Sequence, residues 1–440
     1  MNYTEIPDLY QYFLRCKTVS TDTRKITAET LFVALRGDNF DGNQFAGHAL
    51  AAGANYAIVS DPEVVLDDRY LLVEDTLVAL QALARHHRRQ FSIPVLAITG
   101  SNGKTTTKEL VAGVLAAAHQ THFTQGNFNN HIGVPLTLLA MPTNTEIAVI
   151  EMGANHQGEI AALCNIAEPT HGLITNVGRA HLEGFGGEEG VRKGKSELYR
   201  DLAKRDGVVF VNLEENYLSD LAAVVARRID YQLSEQPSLA IPYYELAVES
   251  VAPHTKVRFI DQNGTSYAAT SILVGKHNLQ NINTAITVGK YFKVPAAAIA
   301  QAVSDYVPTN NRSEWVERGG IRYWLDAYNA NPSSMRAALT TFAELAGDNK
   351  RAVLGVMLEL GEESEAAHLE IARLAQGLPL TAVYLVGDEF ASAAKALHLP
   401  HYASGEDLLA AAVTDQWAGS TVLIKGSRGM RLEQLLPAIS

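Results

Sequence analysis

The chain has 440 residues, of which 47% are hydrophobic and 19% are charged, and its formal net charge is −12. This balance is typical of a globular protein and excludes collagen-like, disordered and disulfide-scaffold classes. At about 100 to 200 residues per domain, the length predicts about three domains. The negative charge argues against a general nucleic-acid binder, which needs clustered cationic side chains.

The sequence gives no sign of secretion or membrane insertion. Residues 1–13 lack the basic segment and apolar core of a signal peptide, and no apolar run approaches the ~18 residues that span a bilayer. The two cysteines, Cys16 and Cys164, lie far apart in sequence, so neither a disulfide framework nor a zinc knuckle is expected. We expect a cytoplasmic protein, and the absence of a coiled-coil pattern favours a monomer.

Residues 1–90 predict a first α/β unit. Apolar stretches bounded by turn residues indicate strands at residues 30–35, 56–60 and 70–73. Between the first two strands, a turn-rich loop at residues 37–44 precedes a short helix at 46–53 that ends at glycine. A basic run that ends in proline, residues 85–94, is interpreted as the boundary of this unit.

Residues 91–308 predict a second unit with a parallel sheet, because apolar strands alternate with helical stretches. The strands are expected at residues 95–99, 147–152, 173–177 and 208–213. An antiparallel hairpin is expected at residues 256–270, with its turn at an Asn-Gly pair. A helix over residues 278–292 is expected to close the unit, and residues 309–312 (TNNR) to link it to the next.

Residues 309–440 repeat the alternation and predict a third unit. Its strands are expected at residues 323–326, 352–357, 382–386 and 422–425. With helices between them, these strands are typical of a doubly wound, Rossmann-like sheet. The chain is therefore expected to consist of three α/β units.

A glycine-rich turn follows the first strand of the second unit, in VLAITGSNGKTTTKEL (residues 95–110). Glycines let the backbone wrap a phosphate, and a helix N-terminus supplies N–H donors and a positive dipole. The expected phosphate contacts are Gly100, Ser101, Asn102, Gly103, Lys104, Thr105 and Thr106. Lys104 is expected to reach the outer phosphates of a nucleoside triphosphate, and Thr105 to place its hydroxyl on Mg²⁺. The spacing is G-x-x-G-K-T rather than G-x-x-x-x-G-K-[ST], so a plain glycine turn is the alternative.

The shortened loop TGSNGKTTTKE resembles the ATP-binding loop of the Mur ligases, which form amide bonds in peptidoglycan precursor synthesis. The segments EMGANHQGEI, TNVGRAHLEGFG, KSELY and LVGKHNLQN follow in the family's order. The resemblance implies an α/β, three-domain Mur ligase architecture. Its parts would be a UDP-substrate-binding N-terminal domain (1–90), a central P-loop parallel-sheet domain that binds ATP (91–308), and a C-terminal Rossmann-like domain that closes on ATP (309–440).

Two C-terminal stretches, LDAYNANPSSM (325–335) and LIKGSRGMRLE (423–433), are similar to the ligase that acts last in the series. The resemblance implies that ATP phosphorylates the terminal carboxylate of UDP-N-acetylmuramoyl-tripeptide (UDP-MurNAc-tripeptide). The amine of D-alanyl-D-alanine (D-Ala-D-Ala) then attacks the acyl phosphate. Three alternatives stay open: another amide ligase on this scaffold, a nucleotide-dependent switch or motor, and a scaffold that only binds ligands.

The resemblance also implies two Mg²⁺ ions with oxygen-rich ligands. The matching metal ligands are Thr105, Glu151, His181 and Lys195, and the last three are, with Lys104, the expected catalytic residues. Lys195 would have to be carbamylated, because an ammonium repels Mg²⁺. From the residues alone, Glu151 could equally be a solvent-facing acid, His181 a loop histidine and Lys195 a solvated lysine.

Further nucleotide contacts are implied for Asn278, Asn281, Arg312 and Asp326. Asn278 and Asn281 lie three apart on one helical face, within reach of a purine, although Asn278 could instead cap its helix. Asp326 is expected to accept from ribose hydroxyls and Arg312 to pair with phosphate, unless each forms a salt bridge between domains. The ATP site would then be complete only when the third domain closes.

Substrate contacts are inferred from polar residues in residues 20–40 (STDTRKITAETLFVALRGDNF), in residues 124–130 (TQGNFNN) and in the two C-terminal stretches. For the UDP-linked substrate they are Thr23, Arg24, Asn39, Thr124, Gln125, Asn127 and Asn129. For D-Ala-D-Ala they are Tyr328, Asn329, Asn331, Lys425, Ser427 and Arg428. The sequence KGSRG offers cations and N–H groups to a C-terminal carboxylate. Asparagine-rich loops and basic turns are also common without any ligand.

Overall fold

Three large sheets, formed in chain order, and one two-stranded hairpin make up the architecture of the described residues. The computed structural model describes residues 3–234, 244–309, 311–411 and 417–436. Within these residues the sheets contain four, nine and six strands, and helices pack on them. The predicted α/β class with three units is confirmed, whereas Asn310 of the predicted linker lies outside the described residues. No helix in the described part of the chain is long and apolar enough to cross a bilayer.

The first sheet is small and parallel. The elements of the first unit are α1 (Ile6–Phe13), β1 (Thr18–Ser20), β2 (Thr30–Val33), β3 (Arg36–Gly37), β4 (Phe40–Asp41), α2 (Ala46–Ala51), β5 (Ala54–Val59), β6 (Tyr70–Leu72) and α3 (Thr76–Arg88). The sheet has the order β1-β2-β5-β6, and β3 and β4 form a separate hairpin. Every residue of β2 is buried, as expected of a parallel strand covered on both faces.

In the second sheet, the direction in which successive strands are added reverses beside the central strand. Its strands are β7 (Val95–Thr99), β8 (Thr121–Phe123), β9 (Ile147–Glu151), β10 (His171–Ile174), β11 (Val208–Asn212), β12 (Arg227–Leu233), β13 (Tyr244–Ser250), β14 (Thr255–Ile260) and β15 (Ser266–Ser271). The order is β15-β14-β13-β12-β11-β10-β7-β9-β8. After β7 the chain forms β8 and β9 on one side and then β10 on the other. Ligands of α/β sheets bind at the strand carboxyl ends beside such a switch point.

The second unit ends with a helix that the sequence did not predict, α12 (Ala296–Asp305). Its helices are α4 (Lys104–Ala116), α5 (Gly133–Leu139), α6 (Glu159–Ala167), α7 (Leu182–Phe185), α8 (Glu188–Lys195), α9 (Glu197–Lys204), α10 (Asn216–Ala222), α11 (Lys276–Tyr291) and α12 (Ala296–Asp305). The prediction that the helix over residues 278–292 is the last one is wrong, because α12 follows and packs on β15 and α4. The predicted antiparallel hairpin, β14 with β15, is confirmed.

The basic run at residues 85–94, the predicted boundary of the first unit, attaches that unit to the second. Its first part belongs to α3, which packs against α5 and α6. Arg88 is buried, and its guanidinium donates to the carbonyls of Ala167 (3.0 Å) and Phe91 (2.8 Å). Arg89, more exposed, pairs with Glu168 at 2.7 Å. A buried guanidinium is stable here because carbonyl oxygens accept from it.

The third unit contains β16 (Glu314–Arg318), β17 (Ile321–Asp326), α13 (Pro332–Glu344), β18 (Lys350–Gly355), α14 (Ser364–Gln376), β19 (Ala382–Val386), α15 (Ala391–Leu397), β20 (His401–Tyr402), α16 (Gly405–Ala410) and β21 (Thr421–Lys425). The sheet order is β16-β17-β21-β18-β19-β20, and β16 alone runs antiparallel to its neighbour. The sequence did not predict β16, an edge strand that is only partly buried and lacks an apolar run. The carboxyl end of β17 faces the second unit across a cavity.

Candidate active site

A cavity of about 870 Å³ lies at the carboxyl ends of the central strands of the second sheet. Loops after β7, β9 and β10 form one side, and residues of the third unit around the end of β17 and the start of α13 form the other. Amide, hydroxyl, carboxylate and cationic side chains line it. The cavity therefore suits a charged ligand bound between the second and third units.

Two glycines let the loop after β7 pack closely against its neighbours. Gly100 has a φ of +146°, and a Cβ atom there would overlap the Thr175 hydroxyl. Gly103 has a φ of +77°, and a Cβ atom there would lie 2.6 Å from Asn281 Oδ1 on α11. Both positions need glycine, because other residues are strained at these angles and lack the space. The loop is thus positioned so that the first turn of α4 lines the cavity.

The segment after β10 binds this phosphate loop. Asn176 accepts the Ser101 N–H through its carbonyl (2.9 Å) and the Asn102 N–H through Oδ1 (3.0 Å). The Gly178 N–H donates to Ser101 Oγ at 2.9 Å. The N–H groups of Ser101 and Asn102, expected to contact phosphate, are therefore already bonded within the protein. The donors left for a phosphate are those at the start of α4, which have no acceptor within the helix.

Lys104 folds back over the same loop. Its Nζ donates to the carbonyls of Gly100 (2.7 Å) and Ser101 (3.3 Å). Burial lowers the pKa of the Lys104 amine from 10.5 to about 8; the nearby Glu151 carboxylate opposes this shift and Arg312 adds to it. A phosphate bound in the cavity would favour the ammonium form.

The carboxylate of Glu151 lies at the end of β9 and is completely buried. Its Oε1 accepts from Thr105 Oγ1 (3.1 Å) and Asn129 Nδ2 (2.8 Å), and its backbone N–H donates to the Thr124 hydroxyl (3.0 Å). Its Oε2 has no hydrogen-bond partner among the described residues and lies 4.0 Å from Lys108 Nζ. The alternative of a solvent-facing acid is wrong.

These groups fit a divalent cation such as Mg²⁺. Hard cations prefer carboxylate and hydroxyl oxygens, and Glu151 Oε2 is a buried oxygen without a hydrogen-bond donor, which a cation would stabilise. No cluster of three His, Cys, Asp or Glu side chains in the described residues could hold a metal ion. Phosphate and water oxygens must therefore complete any coordination that Thr105 and Glu151 begin.

The other two predicted metal ligands bond to other protein groups, although His181 lines the same cavity as Thr105 and Glu151. His181, in a left-handed conformation with φ +53°, contacts the Glu359 carboxylate of the third unit through Nδ1. Lys195 is 1% exposed, donates to the Ala154 carbonyl (3.1 Å) and lies 5.0 Å from the centre of the Phe185 ring. The alternative of a solvated lysine is wrong. Burial holds the pKa of Lys195 well below its usual value.

Asn278 and Asn281 lie on one face of α11 and line the cavity, but both side-chain amides are already hydrogen-bonded to other protein groups. Asn281 Oδ1 accepts from the Thr107 hydroxyl (3.0 Å), and its Nδ2 donates to Asn278 Oδ1 (3.1 Å). Asn278 Nδ2 donates to the Val274 carbonyl at 3.0 Å. The cap of α11 is Gly275, so the interpretation of Asn278 as a helix cap is wrong. In this structure the two amides fix α11 against α4.

The predicted third-unit residues Arg312, Asp326, Tyr328 and Lys425 all line the large cavity. Asp326 Oδ2 accepts from the buried Lys425 Nζ at 2.6 Å, so this lysine is already paired. Burial alone would raise the pKa of Asp326, but the charge and hydrogen bond of Lys425, together with His277 and the Ser313 N–H, lower it. The Arg312 guanidinium lies 3.7 Å from the centre of the Tyr328 ring. The salt bridge of Asp326 is therefore within the third unit, not between domains.

A second cavity, of about 170 Å³, adjoins His181. Its lining includes four of the residues predicted to bind D-Ala-D-Ala, namely Asn329, Asn331, Ser427 and Arg428. The Ser427 hydroxyl accepts the Leu358 N–H (3.2 Å), and Asn331 caps α13 while donating to Asn102 Oδ1 (2.8 Å). These two side chains are bonded to other protein groups in the cavity wall. Arg428 supplies a positive charge to the lining.

Further contacts join the second and third units beside the cavities. The Arg179 N–H donates to Ser333 Oγ (3.2 Å), and the Arg179 guanidinium pairs with Glu363 and with Glu370, the latter at 3.3 Å. Arg336 of α13 also pairs with Glu370. The loop after β10 is thus bonded both to the phosphate loop and to the third unit.

Most residues predicted for the UDP-linked substrate do not converge here. Outside the lining of both cavities lie Thr23, Arg24, Asn39, Gln125 and Asn127. Arg24 is exposed and pairs with Asp22 at 2.9 Å. Thr124 is completely buried, so the prediction that its side chain contacts substrate is wrong. Asn129 does line the large cavity, where it bonds to Glu151.

Sequence reasoning missed several residues that shape the site. Asn176 lies in the segment TNVGRAHLEGFG and Glu359 in none of the segments quoted above, and the partners of both became evident only in three dimensions. The position of Asn176 just after the strand beside β7 could have indicated its contact with the phosphate loop. His277 lines the large cavity, and burial lowers its pKa to about 4, which keeps it neutral at pH 7. No periodicity or spacing singles it out.

Comparisons with known proteins agree over nearly the whole chain. Sequence models of three domain families match: the Mur ligase family catalytic domain at residues 15–88, the Mur ligase middle domain at 98–289 and the Mur ligase glutamate ligase domain at 311–428. The UDP-N-acetylmuramoyl-tripeptide–D-alanyl-D-alanine ligase of Bacillus subtilis is 36% identical, over 95% of this chain and 92% of the relative.

Two solved structures show the same architecture. A crystal structure of MurF from Acinetobacter baumannii has 30% identity and a TM-score of 0.84, over 98% of this chain and 97% of that chain. The MurF ligase of Thermotoga maritima in complex with ADP has 27% identity and a TM-score of 0.82, over 96% of both chains. The fold is therefore that of these ligases.

Nucleotide binding is expected to take up a proton at pH 8.5 to 9. The free Lys104 amine, with a pKa of about 8, is mostly neutral there, and bound phosphates raise this pKa and recharge it. Calorimetric titration with ADP in two buffers of different ionisation enthalpy measures the uptake. In the Lys104→Arg variant the guanidinium is always protonated, so fewer protons should be taken up on binding. Equal proton uptake by both proteins would contradict the assignment of the uptake to Lys104.

Proposed function

Because this chain belongs to the Mur ligase family, we propose that it is an ATP-dependent ligase that joins D-Ala-D-Ala to UDP-MurNAc-tripeptide. The products are the UDP-linked pentapeptide, ADP and phosphate. Relatives whose names state this activity match the chain over nearly its whole length. The observation that carries the proposal is that the phosphate loop, the buried Glu151 and the third-unit motifs meet at two adjoining cavities.

The reaction must make a carboxylate electrophilic and bring two anions together. Phosphorylation gives the substrate carboxyl group a good leaving group, and the acyl phosphate then reacts with an amine. Cations must screen the γ-phosphate from the carboxylate during transfer. Lys104 and the N-terminus of α4 supply positive charge from one side of the cavity, and Arg312 supplies it from the third unit.

Thr105 and Glu151 are the proposed ligands of a Mg²⁺ ion, which when bound neutralises phosphate charge. The chain prepares this pair before any ligand arrives. Asn129 and Thr105 orient one oxygen of the carboxylate, and Thr124 holds its backbone. The other oxygen is left without a hydrogen-bond donor among the described residues.

The smaller cavity is the proposed site of D-Ala-D-Ala. Arg428 offers a forked cation that matches the carboxylate of the dipeptide. The two cavities share His181, Asn329 and Asn331, so a dipeptide in the smaller one has its amine near the nucleotide cavity. Tyr328 lies on the side of the nucleotide, stacked on Arg312.

The UDP end of the substrate is proposed to bind the first unit. Thr23, Arg24 and Asn39 lie there, outside both cavities, and Gln125 and Asn127 are exposed on the loop that follows β8. An exposed guanidinium such as that of Arg24 suits a pyrophosphate, for which it would exchange its present partner, Asp22.

We also propose that the protein acts in the cytoplasm as a monomer. Cys16 and Cys164 are both free thiols, in keeping with a reducing compartment.

The proposal is tested by measuring ADP release in the presence of ATP and Mg²⁺, with UDP-MurNAc-tripeptide and D-Ala-D-Ala left out in turn. We expect ADP only when both are present, together with a pentapeptide product identified by mass spectrometry. Strong ATP turnover with neither substrate would contradict the ligase and favour a nucleotide-dependent switch.

Lys195 is the proposed site of carbamylation, with His181 and the carbamate as ligands of a second Mg²⁺ ion. Its amine attacks CO₂ and releases a proton, which gives an anionic N-carboxylate with two oxygens. The reaction needs a neutral amine, and burial lowers the pKa of Lys195 accordingly. The carbonyl it now bonds belongs to Ala154, a residue of the cavity wall.

Carbamylation predicts a carbamate carbon resonance when the protein is supplied with ¹³C-bicarbonate. The signal should be absent from the Lys195→Ala variant but present in Lys193→Ala, which changes an exposed lysine on the same helix. Lys195→Ala should lose ligase activity, and added acetate should restore part of it. Full activity in this variant, or a signal that persists in it, would refute the modification.

A further inference from the structure

The phosphate loop keeps its shape through the segment at residues 176–178. Asn176 bonds to the loop at three points: the N–H of Ser101 (2.9 Å), the N–H of Asn102 (3.0 Å) and the carbonyl of Asn102 (3.0 Å). Gly178 bonds to the Ser101 hydroxyl. Any displacement of this segment must therefore displace the loop.

The same segment is also held by a tyrosine, Tyr217, which lines the large cavity together with Glu215. The Val177 N–H donates to the Tyr217 hydroxyl at 2.7 Å, and that hydroxyl donates to Glu215 Oε2 at 2.6 Å. Glu215 and Tyr217 come from the residues that follow β11, the strand beside β10. The Arg192 guanidinium lies 5.7 Å from the centre of the Tyr217 ring and helps to fix it.

We propose that Tyr217 is a positioning residue for nucleotide binding, which acts through residues 176–178 to hold the phosphate loop in its binding conformation. A hydroxyl is required because it accepts from Val177 and donates to Glu215 at the same time. Phenylalanine would keep the ring and its contact with Arg192 but would leave both partners unpaired. The inference rests on the proposed function only in taking this loop as the nucleotide site.

A loop that is not held in advance must be ordered by the nucleotide, so the change should appear in binding rather than in the chemical step. For Tyr217→Phe we expect the Kd for ADP and the KM for ATP to rise about tenfold, or about 1.4 kcal/mol. We expect kcat at saturating substrates to stay within about twofold. Amide hydrogen exchange at Ser101 and Asn102 should become faster in the free protein.

Tyr231→Phe is the matched control. Tyr231 is buried in the same sheet, and its hydroxyl bonds to Thr284 at 2.7 Å, away from the loop. It should leave both the Kd for ADP and the exchange of the two loop amides unchanged. If the Kd for ADP rises equally in Tyr217→Phe and Tyr231→Phe, the cause is general destabilisation of the protein, and the proposal is wrong.

Two further outcomes would also overturn it. An unchanged Kd in Tyr217→Phe would show that the loop does not depend on the hydroxyl, and a raised Kd with unchanged loop exchange would indicate direct contact with the nucleotide. If Tyr217→Phe fails to fold, Glu215→Ala tests the same chain of hydrogen bonds, with Glu215→Gln as the variant that keeps an acceptor. The exchange measurement needs no substrate, so it separates this inference from failure of the ligase assay.

Discussion

A carboxylate that is completely buried, that of Glu151, constrains the whole site. Removing such a charge from water is costly unless hydrogen bonds and opposite charges compensate. Thr105 and Asn129 bond to one of its oxygens, and the buried Lys108 ammonium lies 4.0 Å from the other. Lys108 also donates to the carbonyl of Thr124 at 2.9 Å. The helix after the phosphate loop, the segment after β8 and the end of β9 are thus fixed around a position that suits a cation.

The phosphate loop connects this centre to the third unit. Asn102 is bonded on one side to Asn176, after β10, and on the other to Asn331, the cap of α13. Arg179 and His181 extend the contact through carboxylates of the third unit. Because the loop is shared between two units, movement of the third unit and occupancy of the nucleotide site are expected to be coupled. The smaller cavity forms at the same junction, where an amine could approach the activated carboxyl group.

Local sequence signals were enough to predict the central strands of the second and third sheets. They were not enough to predict which side chains are buried or what those side chains contact. The apolar run of β7 and the glycines after it predicted strand, loop and helix, because each signal depends on neighbouring residues only. The edge strand β16 has no such run; it pairs with β17 along its whole length, and Trp315 stacks on Trp324 across the pair. Thr124 was assigned to substrate from its polar loop, yet it is completely buried and its hydroxyl accepts the Glu151 N–H. Lys195 lies in a basic helix, and only the packing of Phe185 and Ala154 shows that its amine is enclosed.

The most direct test of this account is the number of divalent cations that the protein binds with a non-hydrolysable ATP analogue. Bound Mn²⁺ can be counted by electron paramagnetic resonance in the unmodified protein and in Glu151→Gln. Glu109→Gln is the control, because Glu109 is a nearby carboxylate that bonds to the Tyr306 hydroxyl. The account predicts that Glu151→Gln loses an ion and that Glu109→Gln does not. Equal numbers and affinities in all three proteins would contradict the role given to the buried carboxylate.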